Sequence, residues 1–504
     1  MTNISRRNFL QRSAAAAAAF TIVPNSILGK SHGHLAPSDK LNVAVVGPGG
    51  RANGVLTPIA EAGENIVGLC DVDWNKAKKV FERFPNAKKF WDWRKMYDDM
   101  GKEIDAVIVG TADHTHCIVA SHAITLGKHV YCEKPLTHSV YESRLLTKLA
   151  AKHKVATQMG NQGSSATGVR QICDWITAGE IGEVTKVECA TNRPIWAQGL
   201  TAPKQGQWVP DTLDWDLFIG PAKKIPYHEL YHPWSWRGWW AFGTGALGDM
   251  ACHIMHPVFK ALKLGYPTKV QGSSTALLPD SAPVAQKVRM VFPARPQFNT
   301  SKMKYPEVQI TWTDGGILPD FPKGWPEGTP LDGGNEGPVI FHGTKDTLVC
   351  GVYGRNPKLV SGREPKSPAT QRIVPLSDSE DRRIAGSAHY LDWVRACKES
   401  PENRVESASH FAEAGPFNEM VVMGVLAVRL QTLNRELLWD GPNMQFTNIK
   451  DDDTVNVLLE SMFNINDGHP TDDSRRATSS AKAFAQELIK HTYRNGWSLP
   501  PMPS

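Results

Sequence analysis

Apolar and polar positions divide the chain into a first part with continuous apolar runs and a second part with shorter, interrupted runs. In the first part, short runs rich in β-branched residues are typical of parallel strands that are buried on both faces. These runs lie at 40–46, 66–70, 105–110, 129–132 and 155–159. Helical patterns at 55–62 and 117–126 separate successive runs. The alternation predicts an α/β fold, with a doubly wound parallel sheet over residues 40–160.

The second part, residues 161–450, contains short strand patterns interrupted by proline and glycine, and we predict a separate α+β domain there. Strand patterns lie at 184–190, 308–312 and 347–352, helical patterns return at 389–397 and 417–430, and residues 278–338 have the composition of long loops. The remaining residues, 451–504, form a tail extension. The pattern leaves open whether this tail is a subunit contact or a lid.

The first 35 residues have the composition of an export signal and a linker. Arg6 and Arg7 precede an alanine-rich apolar stretch, Ala14–Val23, which is the pattern of a twin-arginine signal. This stretch is shorter than the ~20 residues of a membrane span, and no later segment reaches that length. We therefore predict a periplasmic or otherwise exported protein without a transmembrane segment after signal removal. The alternative is a soluble amphipathic extension.

Composition narrows the class of protein without indicating its chemistry. The 504 residues are 41% hydrophobic and 21% charged, as in ordinary globular domains. The net charge of +5 falls to +2 without the three arginines of residues 1–29, which argues against nucleic-acid binding. Eight dispersed cysteines argue against a disulfide scaffold or a zinc ribbon, and sixteen tryptophans hint at a carbohydrate-facing surface.

The turn after the first apolar run contains a dinucleotide-binding pattern of the Rossmann type. Gly47, Gly49 and Ala52 form G-x-G-x-x-A, with Gly50 and Arg51 inside the turn. Gly47 permits a tight turn, Gly49 lets the backbone approach a pyrophosphate, and Ala52 allows close packing of helix on strand. We expect the four turn residues at 47 and 49–51 to bind the cofactor. A glycine turn without a nucleotide is the alternative.

Polar side chains follow the later apolar runs, at the edge of the sheet where such folds bind ligands. Asp71 lies 24 residues after Gly47, at the position of the acid that binds a ribose diol. An acid there disfavours a 2′-phosphate, so NAD is the expected cofactor, while Arg51 keeps NADP possible. The other predicted cofactor-binding residues are Thr111, His116, Glu133, Lys134 and Asn161.

Asp249 and His253 have the spacing of an acid–base pair. They are four residues apart, so a helix places them on one face, about one turn apart. Such a pair holds a sugar hydroxyl while the histidine takes its proton. A buried histidine satisfied by an acid is the structural alternative. His256 extends the pair to a set with tolerable metal-ligand spacing.

Three motifs together resemble the glucose–fructose oxidoreductase/inositol dehydrogenase (Gfo/Idh/MocA) superfamily. They are G-P-G-G-R at 47–51, E-K-P at 133–135 and D-x-x-x-H at 249–253. The resemblance covers residues 40–450, and the chain looks like an exported, twin-arginine branch with a Trp-Arg-Gly-Trp-Trp block. It implies an open, largely antiparallel sheet in the second domain. It also implies that the second domain binds the substrate and that the protein forms a homo-oligomer.

The resemblance also implies roles for individual residues. Lys134 would hydrogen-bond the reacting hydroxyl and transfer its proton, with Asp249 and His253 completing the catalytic set; the alternative for Lys134 is a surface pair with Glu133. The family often has an acid at the position of His256. A changed substrate contact therefore explains the histidine at position 256 more simply than a metal site does. We expect no metal ion in this protein.

Aromatic and cationic side chains are candidates for substrate contact. Indole faces suit the apolar faces of sugar rings, and arginine binds hydroxyls or carboxylates. A packing cluster between domains is the alternative for the aromatic block. The predicted substrate-binding residues are Gln162, Arg193, Trp196, Tyr231, Trp236, Arg237, Asp249 and His253.

These features lead us to expect an exported NAD(P)-dependent oxidoreductase that acts on a sugar, polyol or glycoside. Because the periplasm is not expected to supply free nicotinamide cofactor, the dinucleotide should stay tightly bound. One alternative is an NAD-dependent glycosidase that works by transient oxidation and elimination. A second is a non-catalytic sugar- or nucleotide-binding protein.

Overall fold

The computed structural model describes residues 39–331, 336–367, 382–460 and 462–503; the predicted signal and linker, residues 1–35, lie outside them. Six strands form the N-terminal sheet: β1 (Asn42–Val46), β2 (Asn65–Cys70), β3 (Lys88–Phe90), β4 (Ala106–Val109), β5 (His129–Cys132) and β6 (Thr157–Met159). All pairs are parallel, in the order β3-β2-β1-β4-β5-β6. This order confirms the predicted doubly wound sheet of the Rossmann type.

Helices connect these strands on both faces of the sheet, as a fully buried parallel sheet requires. They are α1 (Ala52–Glu61), α2 (Trp74–Arg83), α3 (Trp93–Met100), α4 (Asp113–Thr125) and α5 (Val140–His153). Local sequence explains their starts. Asp73 and Asp92 cap α2 and α3, and α5 begins at a capping box in which Ser139 and Glu142 each bind the other's backbone N–H.

A nine-stranded sheet forms the second domain. Its strands are β7 (Val184–Ala190), β8 (Lys269–Ser274), β9 (Gln286–Phe292), β10 (Val308–Thr313), β11 (Pro338–Gly343), β12 (Thr347–Gly351), β13 (Lys358–Leu359), β14 (Leu437–Asp440) and β15 (Gln445–Phe446). Their order is β13-β12-β11-β7-β10-β9-β8-β14-β15; β7 and β10 pair in parallel and the other pairs are antiparallel. The expectation of a largely antiparallel sheet is confirmed.

The expectation of long loops over 278–338 is wrong at β9. Its alternation of buried Val288 and Met290 with the less buried Lys287 and Arg289 is a strand signal, which the surrounding proline and glycine obscured.

The second domain and the tail contain the remaining elements. The helices are α6 (Thr167–Thr177), α7 (Trp215–Ile219), α8 (Gly245–Ile254), α9 (His256–Ala261), α10 (Arg382–Cys397) and α11 (Phe411–Arg429). The tail contains β16 (Thr454–Glu460), β17 (Phe463–Asn466), β18 (His469–Asp472), β19 (Arg475–Ser480) and α12 (Ala481–Ile489). Among the described residues, α11 alone is long and apolar enough to cross a membrane, and 83% of that window is buried inside the protein.

Helix α10 packs on the N-terminal sheet although it lies late in the chain. Tyr390, Trp393 and Val394 share one apolar core with Val43 and Val45 of β1. One outer layer of the N-terminal domain is therefore supplied by the part of the chain that follows residue 381. The domain limits at 160 and 450 stay predictions along the sequence, but in space the two parts are interlocked.

The tail folds back onto the N-terminal domain. After α12, the ring of His491 stacks on His138 with centroids 4.7 Å apart, and the Tyr493 hydroxyl donates a 2.7 Å hydrogen bond to Glu142. Residues beyond α12 thus follow the helices of the first sheet and do not extend into solvent.

His491→Phe should make the folded protein less sensitive to acid. Burial lowers the pKa of His491 to about 4 and that of His138 to about 3, so the folded state holds both rings neutral. The unfolded chain binds these protons near pH ~6.5, and stability therefore falls as the pH drops below that value. Phenylalanine keeps the stacked ring but binds no proton.

The parent should lose up to about 1.4 kcal/mol of unfolding free energy per pH unit more than His491→Phe, between the unfolded and folded pKa values. Urea unfolding at pH 7, 6 and 5 measures this difference. His469→Phe, at the exposed tip of the tail, is the control and should follow the parent. If the unfolding free energies of the parent and His491→Phe changed equally with pH, the prediction would be contradicted.

Candidate active site

A crevice of about 1140 Å³ lies at the carboxyl ends of the N-terminal strands and extends to the second domain. It brings together most residues that the sequence predicted as functional. Those that line it are Gly47, Gly49, Gly50, Arg51, Asp71, Thr111, Glu133, Lys134, Gln162, Arg193, Trp196, Trp236, Arg237, Asp249 and His253.

Three predicted site residues, His116, Asn161 and Tyr231, lie outside this lining. The ring nitrogens of His116 face the carbonyl oxygens of Pro135 and Thr111, at 2.8 and 3.1 Å, so His116 positions the backbone behind the crevice. Asn161 is fully buried, and its amide donates to the Cys252 carbonyl. Tyr231 belongs to the aromatic packing cluster that was the alternative for this block, with its ring 4.8 Å from that of Trp239.

The glycine turn after β1 is a backbone cradle. Gly47 has φ +84°, and a Cβ there would lie 2.7 Å from the carbonyl oxygen of Gly110. At Gly49, a Cβ would lie 2.9 Å from the backbone N of Ala77 and from the carboxylate of Asp71. Both positions therefore need glycine. No side-chain hydrogen bond caps the start of α1, where a phosphate would bind.

Asp71 is held in place beside this turn. Its two carboxylate oxygens accept the backbone N–H groups of Gly49, at 2.8 Å, and Asp73, at 2.9 Å. Burial raises the pKa of Asp71 to about 6, although both hydrogen bonds oppose the rise. Each oxygen retains a second lone pair for a ribose hydroxyl.

Gly47→Ala should weaken NAD binding by about tenfold or more, because a left-handed alanine and the contact with Gly110 both distort the turn. Calorimetric titration with NAD measures the change. Gly265→Ala is the matched control, since a Cβ at Gly265 meets nothing within 4 Å. Unchanged NAD affinity in Gly47→Ala would show that the turn does not hold the dinucleotide.

Lys134, Asp249 and Arg237 form an ion cluster at the other side of the crevice. Lys134 follows β5, its peptide bond to Pro135 is cis, and its Nζ lies 2.5 Å from Oδ1 of Asp249 on α8. The same oxygen is 3.1 Å from Nε of Arg237. Burial alone would raise the pKa of Asp249, but the charges of Lys134 and Arg237 hold it well below its usual range.

Arg237 is oriented from its other side by Asp113, a fully buried carboxylate at the start of α4. Arg237 Nη1 donates to Asp113 at 2.9 Å, and Asp113 also accepts from the Thr244 hydroxyl at 2.9 Å. The guanidinium thus joins two carboxylates and keeps the side chain of Asp249 directed at Lys134.

His253 lies one turn after Asp249 on α8. Its ring contacts Tyr353 edge-on, with centroids 4.6 Å apart, and its buried Nδ1 finds no hydrogen-bond partner within the described residues. Burial, and after it the positive charge of Lys134, lower the pKa of His253 well below the usual value. The imidazole is therefore neutral, and His253 lines the crevice.

His256 lies apart from this pair. Its Nε2 is 2.9 Å from Glu413, which also accepts from Lys260 at 3.1 Å. Across the described ranges, no three histidine, cysteine or acidic side chains are grouped as metal ligands. His256 thus contacts Glu413 and does not join Asp249 and His253 in a ligand set.

Several crevice residues were missed by the sequence analysis. Tyr353 has φ +63° and packs against Gly163 and His253, a placement that no local pattern indicates. Glu336 pairs with Arg193 at 2.6 Å, and the Tyr390 hydroxyl accepts from Arg51 at 2.6 Å. All three come from distant parts of the chain, so only the tertiary fold brings them to the site.

The crevice fits a dinucleotide on its own geometry. The turn at Gly47 and Gly49 has no space for a Cβ, so no side chain stands between its backbone and a ligand. The buried Oε1 of Glu133 accepts no hydrogen bond from any described residue. Arg51 Nε lies 3.6 Å from that oxygen. The glycine turn and the polar set around Lys134 line one continuous space, as in a two-domain protein of the dinucleotide-binding class.

Comparison with known proteins assigns the family. Residues 41–161 match the model of an oxidoreductase family with an NAD-binding Rossmann fold, and residues 166–294 match that family's C-terminal α/β domain. The chain belongs to the Gfo/Idh/MocA superfamily of NAD-binding oxidoreductases, as its motifs predicted.

Individual relatives are distant. The chain is 27% identical over 147 residues to inositol 2-dehydrogenase of Salmonella typhimurium, which covers 28% of this chain and 43% of that protein. It is 26% identical over 180 residues to levoglucosan dehydrogenase of Pseudarthrobacter phenanthrenivorans, or 36% of this chain and 38% of that protein. The chain thus spans less than half the length of both curated relatives.

Solved structures share the fold over most of both chains. The WlbA dehydrogenase of Bordetella pertussis, in complex with NADH and UDP-GlcNAcA, has a TM-score of 0.53 at 16% identity and covers 80% of this chain and 99% of its own. A levoglucosan dehydrogenase in complex with NADH and L-sorbose has a TM-score of 0.52 at 17% identity, over 78% and 97%.

Proposed function

We propose that this protein is an exported NAD-dependent oxidoreductase that oxidises a hydroxyl group of a sugar, polyol or glycoside. One observation is central to the proposal. The Lys134–Asp249 ion pair and His253 line the same crevice as the glycine turn and Asp71. A dinucleotide held at the turn and a hydroxyl held at Lys134 would therefore share one enclosed space.

Lys134, Asp249 and His253 would each have a different role toward the reacting hydroxyl. When bound, NAD supplies a hydride acceptor. The ammonium group of Lys134 has three donors, so its bonds to Oδ1 and to the carbonyl oxygen of Asp249 leave one for the hydroxyl oxygen, whose developing negative charge it stabilises. The neutral His253 accepts the hydroxyl proton. Asp249, ionised and held by Arg237, fixes the position of Lys134.

The mouth of the crevice suits a carbohydrate. Trp196 and Trp236 offer indole faces, Arg193 and Gln162 offer donors, and the exposed Trp234 extends this surface outward. The names of the relatives, inositol 2-dehydrogenase and levoglucosan dehydrogenase, also support a polyol or sugar as substrate.

Export and cofactor retention complete the proposal. Export rests on the Arg6-Arg7 pair before an alanine-rich stretch. An exported oxidoreductase needs to retain its dinucleotide, and we propose that this protein does so as a homo-oligomer. Replacing Arg6 and Arg7 by lysine should leave the protein in the cytoplasmic fraction, and release of that variant with the periplasmic fraction would contradict export.

The test of activity follows cofactor and products in the same reaction. Purified protein is incubated with NAD and a panel of sugars and aryl glycosides. We expect lasting NADH absorbance together with a ketosugar. Aglycone release without net reduction would contradict the proposal and indicate a glycosidase. Binding of sugar and NAD without either product would indicate a non-catalytic protein.

A further inference from the structure

The C-terminal segment 490–503 brings an unpredicted aromatic side chain into the crevice. Trp497 lines the same space as Asp71, and its indole is only partly buried. One side packs against the N-terminal domain: the ring of Trp93 lies 6.4 Å away, and the guanidinium of Arg94 lies over the indole at 4.3 Å. Trp497 is thus a fixed wall of the crevice.

The segment is anchored at two separate places. Arg494 donates to both carboxylate oxygens of Asp216 on α7, at 3.0 and 2.9 Å, and to the Gly220 carbonyl at 2.5 Å. The chain just before α7 pairs with the first sheet's edge, since the Asp214 N–H donates to the Val72 carbonyl at 2.9 Å. On the N-terminal domain, Tyr493 donates to Glu142, and Lys148 donates to the Pro503 carbonyl at 3.2 Å. The segment 490–503, which we call the strap, is therefore fixed both to α7 and to α5.

The strap lies at the part of the crevice that would hold the adenine. Asp71 is the acid that binds the adenosine ribose in folds of this kind, and its backbone N–H donates to Phe90, directly before Trp91. Trp91, Trp93, Val119 and Leu217 continue the lining from there and make it apolar. A planar base next to the ribose would meet these side chains together with Trp497.

We propose that Trp497 forms one wall of the adenine site and that the strap slows the release of the dinucleotide. This inference rests on the NAD-binding part of the proposed function. Aromatic side chains hold bases by stacking, and the measured cost of removing one corresponds to about tenfold or more in affinity. Because Arg494 fixes the strap to α7, Trp497 keeps its place beside the base while this anchor holds, and loss of the anchor would speed release of the dinucleotide.

The test compares fragments of the cofactor on the full-length protein. Calorimetry gives dissociation constants for NAD, AMP and nicotinamide mononucleotide. Trp497→Ala should weaken the binding of NAD and AMP by about tenfold or more and leave the affinity for nicotinamide mononucleotide within about twofold of the parent. Trp497→Phe should retain most of the affinity for NAD and AMP. Trp208→Ala is the matched control, since Trp208 is 88% exposed and lies outside the crevice lining.

A second variant tests retention without removing the aromatic wall. Arg494→Gln should increase the rate of NADH release, followed by its fluorescence after addition of excess NAD, by about tenfold. Three results would overturn the proposal. The first is an equal affinity for AMP in the parent and Trp497→Ala, and the second is a loss of affinity for nicotinamide mononucleotide as large as that for AMP. The third is an unchanged rate of NADH release in Arg494→Gln. A parent that binds no NAD would overturn this proposal and the proposed function together. A parent that binds NAD without turnover would overturn only the proposed function.

Discussion

Lys134→Met should lower kcat by roughly 10²- to 10⁴-fold while NAD affinity stays within about twofold. Methionine keeps much of the volume of the side chain but removes the donor to the reacting hydroxyl. Asp249 remains paired with Arg237, so the variant does not bury an isolated carboxylate. Initial rates of NADH formation with the best substrate of the panel give kcat, and calorimetry gives the NAD affinity.

Lys102→Met, on an exposed turn, is the matched control and should keep the activity of the parent. A Lys134→Met variant with kcat within threefold of the parent would show that the ion pair with Asp249 is structural. Loss of NAD binding in this variant would instead place Lys134 in the cofactor site alone.

His253→Phe should lower kcat/KM by about 10²- to 10³-fold. Phenylalanine preserves the edge-on contact with Tyr353 and the burial of the ring, but it removes both nitrogens. Because burial keeps the pKa of His253 well below its usual value, this imidazole stays neutral, and the kcat/KM of the parent should show no acid limb near pH 6.5.

The control for this variant is His469→Phe, which removes an exposed imidazole at the tip of the tail. His410 is less suitable, since its ring bonds to the carbonyl of Ser407. The control variant should match the parent in kcat/KM. An acid limb near pH 6.5 that disappears in His253→Phe would contradict the neutral state of this ring.

The parts of the molecule that local pattern determines were predictable from the sequence. Five of the six strands of the first sheet lie in the predicted apolar runs, whereas β3 (Lys88–Phe90) contains two lysines and was not predicted. The G-x-G turn needs glycine at Gly47 for reasons of backbone geometry alone. Residues at the ends of parallel strands must meet at one edge of the sheet. The positions of Asp71, Thr111 and Lys134 after their strands therefore suffice to predict one common crevice, and all three residues line it.

Long-range packing accounts for what the sequence analysis missed. Tyr231 and Trp236 look alike in the aromatic block, yet the first packs against Trp239 and the second lines the crevice. Only the fold around them decides which ring is buried. Similarly, the φ of +63° at Tyr353 and the return of Trp497 to the first domain depend on contacts between segments that are far apart in sequence.

The late position of α10 has a consequence for synthesis of the chain on the ribosome. Trp393 is fully buried, and its indole N–H donates to the carbonyl of Ala156, 237 residues earlier. At ~5–20 residues per second, the nascent first sheet waits on the order of 10 to 50 s for this covering helix. During that interval, the apolar surface that Tyr390, Trp393 and Val394 later bury stays exposed, and the incomplete chain is then prone to aggregate unless a chaperone binds it.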